Sequence, residues 1–278
     1  MDINTFIALA LEEDINTGDH STLSSIPAGE TGTAILKIKE DGILAGVEVA
    51  KAVFHYLQPD AKFEFFKKDG DRITNGDLAF KVDASVHTIL QAERLALNCM
   101  QRMSGIATLT HQYVQKIAQY NTKILDTRKT TPLFRQFEKE AVKIGGGHNH
   151  RMGLYDMIML KDNHIDYCGG IEKAVNSAKK YIKENNLAIK IEVETRNIDE
   201  VKQALAVGGV DRVMFDNFSP DLMHKAVEII NKAIETEASG GINITNIEGY
   251  AATGVDFISI GALTHHAVSL DLSLKALK

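Results

Sequence analysis

Ile124-Leu125-Asp126-Thr127-Arg128-Lys129-Thr130-Thr131-Pro132 reads as a short apolar strand running into two adjacent cations. Thr131-Pro132 then reads as a helix N-cap followed by proline at the first helical position. The same order recurs along the chain. Met157-Ile158-Met159-Leu160 runs into Lys161-Asp162-Asn163, the strand from Ile189 ends at Glu194, and Val213-Met214-Phe215 runs into Asp216-Asn217. A strand beginning near Ala233 leads to Glu237, Ser239, Gly240 and Gly241, and Phe257-Ile258-Ser259-Ile260 leads to Gly261 with His265 behind it. Helical patterns lie between these strands. Asn197 caps one whose first turn holds Asp199 and Glu200, and Ser219-Pro220-Asp221 starts another. Strands alternating with helices predict a parallel sheet with right-handed crossovers. At roughly 25 residues per unit the stretch holds about six or seven units, fewer than a complete eightfold barrel needs. The expected fold is an incomplete, six- or seven-stranded α/β barrel.

The N-terminal part has a different pattern. Residues 33–85 read as a small α+β unit: strands over Thr33–Lys39, Lys62–Phe65 and Leu78–Ala84, a helix over Val47–Leu57, and turns at Asp69-Gly70 and Asn75-Gly76. An earlier helix carries Ile3, Phe6, Ile7, Ala10 and Leu11, with Asp2 as its cap, and Glu13, Asp14 and Asp19 read as its solvated end. A long helical stretch from Val86 to Tyr120, expected to break near Ser104-Gly105, links the parts. This predicts an α+β sandwich domain over residues 1–106 and a barrel domain over 107–278.

Composition bounds the function classes. Hydrophobic content of 44% and charged content of 24% are those of a globular chain. A net charge of −6 argues against nucleic acid as partner. The two cysteines, Cys99 and Cys168, have no metal-ligand spacing and read as free thiols. Met1-Asp2-Ile3-Asn4 lacks the features of a signal peptide, and no apolar run reaches membrane-spanning length. A cytoplasmic protein is expected.

In a βα barrel the site lies at the C-terminal strand ends. Polar groups at every strand end exceed what helix caps and solvated loops require. Arg128, Lys129, Arg151 and Lys161 suit carboxylate or phosphate. Ser239-Gly240-Gly241 before a helix, with Ser259-Ile260-Gly261 following, fits a late-strand phosphate site. Glu194 and Asp216 suit ribose hydroxyls, water-coordinated Mg²⁺ or a developing positive charge. His148-Asn149-His150 offers no third metal ligand, and His150 is expected to hydrogen-bond beside Arg151.

Beyond these residues, the chain resembles the quinolinate phosphoribosyltransferases, or carboxylating nicotinate-nucleotide pyrophosphorylases. The likeness runs through Leu11-Glu12-Glu13-Asp14 with Gly18-Asp19, Glu93–Asn98, Ser104–Thr108, Asp126–Pro132, Gly146–Arg151, Lys161–His164, Glu192–Glu194, Asp216-Asn217, Glu237–Gly241 and Asp271–Lys275. It implies condensation of quinolinate with phosphoribosyl pyrophosphate, using Mg²⁺, to give nicotinate mononucleotide, pyrophosphate and CO₂. It assigns Arg128, Lys129, His150 and Arg151 to quinolinate, Lys161 to pyrophosphate and substrate, and Thr127 to substrate binding. Glu194 and Asp216 fall to ribose and metal, and Ser239, Gly240, Gly241, Ser259, Ile260, Gly261 and His265 to the 5′-phosphate. Lys129, Lys161, Glu194 and Asp216 would carry the catalytic work. Arg94 would enter from the partner of a homodimer with shared sites, which could assemble further. The competing readings are a same-fold homologue associated with molybdenum transport, a Schiff-base aldolase or synthase using Lys129 or Lys161, and a non-catalytic binder of a phosphate ligand.

Overall fold

The structure, a computed structural model, describes residues 2–277. It divides into two compact units: Met1–His111 with Thr131–Gly146 and His266–Lys278, and Gln112–Thr130 with Gly147–His265. Among the described residues no helix is long and apolar enough to cross a membrane.

The first unit opens with α1 (Ile3–Ile15), capped by Asp2, and α2 (His20–Ser25). Asp19, expected as a solvated helix end, caps α2 by accepting from Thr22 N at 3.1 Å. Next come β1 (Thr31–Ile38), β2 (Gly42–Ile43), α3 (Val47–Leu57), β3 (Lys62–Phe65), β4 (Arg72–Ile73) and β5 (Leu78–Ser85). Then follows α4 (Val86–Lys116), whose residues to His111 belong here. Alternation along β1 turns Ala34, Leu36 and Ile38 into a core with Phe80 and Val82 of β5, Val53 and Phe54 of α3, and Ile7 and Leu11 of α1.

The structure departs from the sequence reading in three places here. Helix α4 does not break at Ser104-Gly105. Ser104 Oγ donates to Ala45 O and accepts from Ala45 N, and a Cβ on Gly105 would lie 2.0 Å from Val268 O. Gly105 serves close backbone approach, not a kink. Secondly, helix α5 (Arg135–Ile144) starts after Thr131-Pro132, because Leu133 adopts φ +62. Thr131 instead gives its N–H and hydroxyl to the buried Glu138 carboxylate at 3.0 and 2.9 Å. Finally, β12 (Leu272–Leu277) pairs antiparallel with β1, completing a sheet of order β12-β1-β5-β3. Contacts therefore group two later segments, Thr131–Gly146 and His266–Lys278, with this unit. Phe134 and Phe137 stack on Phe6, with ring centroids 5.6 and 4.6 Å away.

The second unit carries β6 (Lys123–Leu125), β7 (Met157–Leu160), α6 (Asp162–Cys168), α7 (Ile171–Glu184), β8 (Lys190–Thr195) and α8 (Ile198–Val207). It continues with β9 (Arg212–Asp216), α9 (Pro220–Ile230), β10 (Glu235–Ser239), α10 (Ile247–Ala251), β11 (Phe257–Ser259) and α11 (Ala262–His265). Its six strands are all parallel, in the order β6-β11-β10-β9-β8-β7. The first two strands of this sheet in chain order, β6 and β7, are thus its two edges, and among the described residues they do not pair. This is the incomplete barrel that strand–helix alternation predicts. Asn197 and Ser219 cap α8 and α9 as expected.

Candidate active site

The seam between β6 and β7 is lined by the segment that carries His148-Asn149-His150-Arg151. His148 N donates to Ile124 O at 2.8 Å, and Asp126 N donates to His148 O at 3.1 Å, a parallel bridge in place of a further strand. Asp126, expected to be delivered to the rim, is fully buried, and its Oδ1 accepts from His150 N at 2.9 Å. It fixes the turn that presents Arg151. The Arg151 guanidinium is half-buried and donates to Met157 O at 3.2 Å. Burial, and then the positive charge of Arg128, push the Arg151 pKa down. Those two guanidinium groups therefore lie within each other's field. Like charges held together are costly, and an anion bridging them relieves the cost.

The neighbouring strand ends supply an ion pair and a second carboxylate. Lys161 is the N-cap residue of α6, and its exposed Nζ lies 3.2 Å from Oε2 of the largely buried Glu194. Glu194 is in register with Met214, so Asp216, two residues further along β9, lies diagonally beside it on the same face. Asp216 Oδ2 accepts from Asn217 Nδ2 at 2.9 Å.

The last strands bring glycine loops and Lys129 together. Gly240 has φ +96, and a Cβ there would meet Asn217 Oδ1 at 2.2 Å, so only glycine fits. Gly241 follows at φ +64. Lys129 and His265 converge over Gly261: a Cβ on Gly261 would lie 2.9 Å from Lys129 Cδ and 3.0 Å from His265 Nε2. Thr264 Oγ1 donates to Lys129 O at 2.7 Å, and Thr127 Oγ1 accepts from Lys129 N at 3.1 Å. Three expectations change. Helix α10 is only five residues long and begins at Ile247, so loop N–H groups, not a helix dipole, face the end of β10. The Ser259 hydroxyl turns inward to Ala238 O, at 3.4 Å, and to Glu237. Ile260 N is committed to Leu125 O at 3.0 Å. Arg94 is exposed on α4 in the first unit.

Beneath this rim sits a charged cluster that sequence reading missed. Arg212 is in register with Glu192 and Glu235, and its Nη1 lies 2.8 Å from Glu237 Oε2. Its guanidinium carbon sits 4.1 Å from the centroid of the Phe257 ring. His150 Nε2 reaches in to 3.1 Å from Glu192 Oε2 and 3.3 Å from Glu237 Oε2. Burial opposes a charged imidazole, but the hydrogen bonds and charge of these carboxylates outweigh it and draw a ring proton to Nε2. Burial and the charge of Glu237 push Glu192 up to about 7. Burial also acts to raise Glu237, but His150, Arg212 and Ser259 outweigh it and hold it low. The protons belong to the set as a whole. Arg151 N donates to His150 Nδ1 at 2.6 Å, which requires a lone pair there. The ring proton is therefore on Nε2, and the next proton resides on Glu192. His150, Glu192 and Glu237 bring ligand atoms within 4.8 Å of one another, and Arg212 supplies the positive charge that a metal would. His150, expected at the substrate, has its ring turned inward. The available signal was period two: Glu192 shares a face with Glu194, and Glu237 with Ser239.

A parallel barrel whose rim gathers guanidinium groups, a Lys–Glu pair and glycine loops belongs to the class of enzymes that act on polyanionic substrates. Comparison with known proteins narrows the class. The family models for the quinolinate phosphoribosyl transferase N- and C-terminal domains match residues 14–104 and 106–275. The chloroplastic carboxylating nicotinate-nucleotide pyrophosphorylase of Arabidopsis thaliana is 45% identical, over 99% of this chain and 82% of the relative. A probable enzyme of the same name from Bacillus subtilis is 42% identical, over 94% and 89%. The crystal structure of NadC from Streptococcus pyogenes superposes with a TM-score of 0.93 at 40% identity, over 99% of this chain and 97% of that one. This chain belongs to the quinolinate phosphoribosyl transferase family. It is a phosphoribosyltransferase of the pyrophosphorylase (carboxylating) type.

Proposed function

We infer that this protein transfers phosphoribosyl from phosphoribosyl pyrophosphate to quinolinate and releases pyrophosphate and CO₂, forming nicotinate mononucleotide for NAD biosynthesis. The observation that carries the reading is the pairing of Arg128 and Arg151, two guanidinium groups in mutual repulsion that a dicarboxylate can bridge. Lys129, His265, Gly240, Gly241 and the neighbouring backbone N–H groups receive the 5′-phosphate. Lys161 meets the pyrophosphate and moves between it and Glu194. The pyridine nitrogen attacks the anomeric carbon as its bond to pyrophosphate breaks, and the buried Glu194 stabilises the positive charge developing on the sugar. With the ring nitrogen cationic, the adjacent carboxylate leaves as CO₂. The electron pair left on the ring carbon takes a proton from solvent. The residues needed are those that bind, orient and neutralise, which explains a rim without a nucleophile.

Glu194 and Asp216 fit Mg²⁺ bound through water: both are oxygen donors, on one face of adjacent strands. When bound, the ion neutralises charge on the departing pyrophosphate. Arg94, exposed on α4, completes the site from the partner subunit of a homodimer.

Purified protein given quinolinate, phosphoribosyl pyrophosphate and Mg²⁺ is expected to yield the mononucleotide and CO₂ in equal amounts. Arg151→Ala is expected to raise the quinolinate KM by at least tenfold, at roughly 1.4 kcal/mol per decade, with little change for the donor. Equal loss for both substrates, or borohydride trapping of a lysine adduct, refutes the assignment.

A further inference from the structure

We propose that Glu192, Glu237 and Arg212 are positioning residues for the dicarboxylate grip, acting through the His150 ring on the backbone of Arg151. The proposal rests on the reading of the rim as a quinolinate site. The chain of contacts is continuous. Arg212 Nη1 holds Glu237 Oε2 at 2.8 Å, while Glu237 and Glu192 bracket His150 Nε2 at 3.3 and 3.1 Å. His150 Nδ1 in turn accepts from Arg151 N at 2.6 Å. Both ends of the imidazole are thereby committed, and its tautomer is dictated: Nε2–H is shared between two carboxylates, and Nδ1 is bare.

This arrangement addresses a mechanical problem at the seam. Arg151 sits on a loop that bridges to Leu125, not on a strand of the ladder. Its guanidinium lies within the field of Arg128 and donates to Met157 O at 3.2 Å. The direction in which this loop presents the guanidinium depends on how its backbone is tied down. Asp126 ties His150 N, at 2.9 Å, and the ring ties Arg151 N. The ring is itself held by carboxylates on two separate strands, β8 and β10, with Arg212 of β9 behind Glu237. A protonated Nδ1 would turn the tie into a clash of two donors, so the carboxylates must hold the proton at Nε2. Two buried glutamates facing one histidine, with one arginine behind them, fix which nitrogen carries the proton, whereas a single carboxylate would leave the ring free to turn over.

The experiment combines kinetics with a direct reading of the ring. Glu192→Gln and Glu237→Gln are each expected to raise the quinolinate KM about 10-fold, by analogy with the loss of outer-shell partners at other sites. The phosphoribosyl pyrophosphate KM is expected to stay within about threefold. His150→Asn keeps an acceptor for Arg151 N but cannot reach the carboxylates. His150→Gln reaches them but loses the tie, and both are expected to show the same selective rise. If Glu237→Gln fails to fold, Glu192→Gln carries the test. In ¹⁵N-histidine-labelled protein, His150 is expected to show a bare Nδ1 and a protonated Nε2 at neutral pH, with the ring populating both tautomers in Glu192→Gln. A wild-type ring protonated at Nδ1, or equal KM increases for both substrates, overturns the proposal. The ring measurement needs no turnover. An enzyme inactive on quinolinate but showing the expected tautomer thus overturns the reading of the function and leaves the tie standing.

Discussion

Arg212→Met tests whether the interior cluster is held by charge. Arg212 is 7% exposed, and its guanidinium pairs with Glu237 at 2.8 Å and Glu235 at 3.0 Å and covers the Phe257 ring at 4.1 Å. Methionine fills much of the stem volume, so the packing loss is small. What remains is the Glu237 carboxylate, fully buried, facing only the Nε2–H of His150 at 3.3 Å and no cation within the cluster. Removing one partner of a buried ion pair costs about 3–5 kcal/mol, chiefly because the survivor is stranded. Losing the cation–π contact adds up to about 2 kcal/mol, and protonation of a carboxylate returns part of the total. The expected destabilisation is about 4 kcal/mol near neutral pH. It is to be measured by urea unfolding followed by circular dichroism, with amide exchange in β8–β10 locating the loss. Glu237→Gln in the same chain removes the stranded charge, so the double variant is expected to be less damaged than the sum of the singles by about 2 kcal/mol. A loss below about 1 kcal/mol, or strict additivity, refutes the reasoning.

Stability is expected to carry a pH signature from Glu192. Its pKa is raised to about 7, so the folded state keeps a proton that the unfolded chain releases. That contribution is fully present below about 4.5, where even the unfolded carboxyl is protonated, and is lost as pH rises through 7, on the order of 3 kcal/mol in all. Glu192→Gln is expected to flatten this slope in urea midpoints between pH 5 and 8; an unchanged slope assigns the proton elsewhere. Gly105→Ala puts a methyl 2.0 Å from Val268 O, and a loss above about 2 kcal/mol is expected in thermal unfolding. Mixed dimers of Arg94→Ala and Lys129→Ala chains are expected to recover about a quarter of wild-type sites per random mixing, whereas each variant alone is inactive. No recovery in confirmed mixed dimers refutes a shared site.

Much of the second unit was legible because parallel strands announce themselves twice, by an apolar run and by the cap of the helix that follows. Asn197 and Ser219 are such caps, and the strands near Met157, Ile189 and Arg212 fall where expected. Lys161 and Glu194 stand at strand ends, where residue type and position together had placed them. What escaped was non-local. Leu272–Leu277 looks like any alternating segment until β1 offers its free edge, and no local pattern names a partner so distant. The start of α5 was misplaced because nothing in Thr131-Pro132-Leu133 foretells a left-handed leucine. Glu192 and Arg212 were read as ordinary strand residues and Glu237 as a strand-end group, because each alone would be costly to bury. Only the barrel shows that they are buried together.

The pairing of β12 with β1 has a consequence for synthesis. Residues 272–277 emerge from the ribosome only after the whole of Gln112–Thr130 and Gly147–His265 has been made. At roughly 5–20 residues per second, the N-terminal sheet waits on the order of ten to forty seconds with one flank of β1 bare. During translation that edge is open to any nascent strand nearby, until the strand that seals it follows the second unit out.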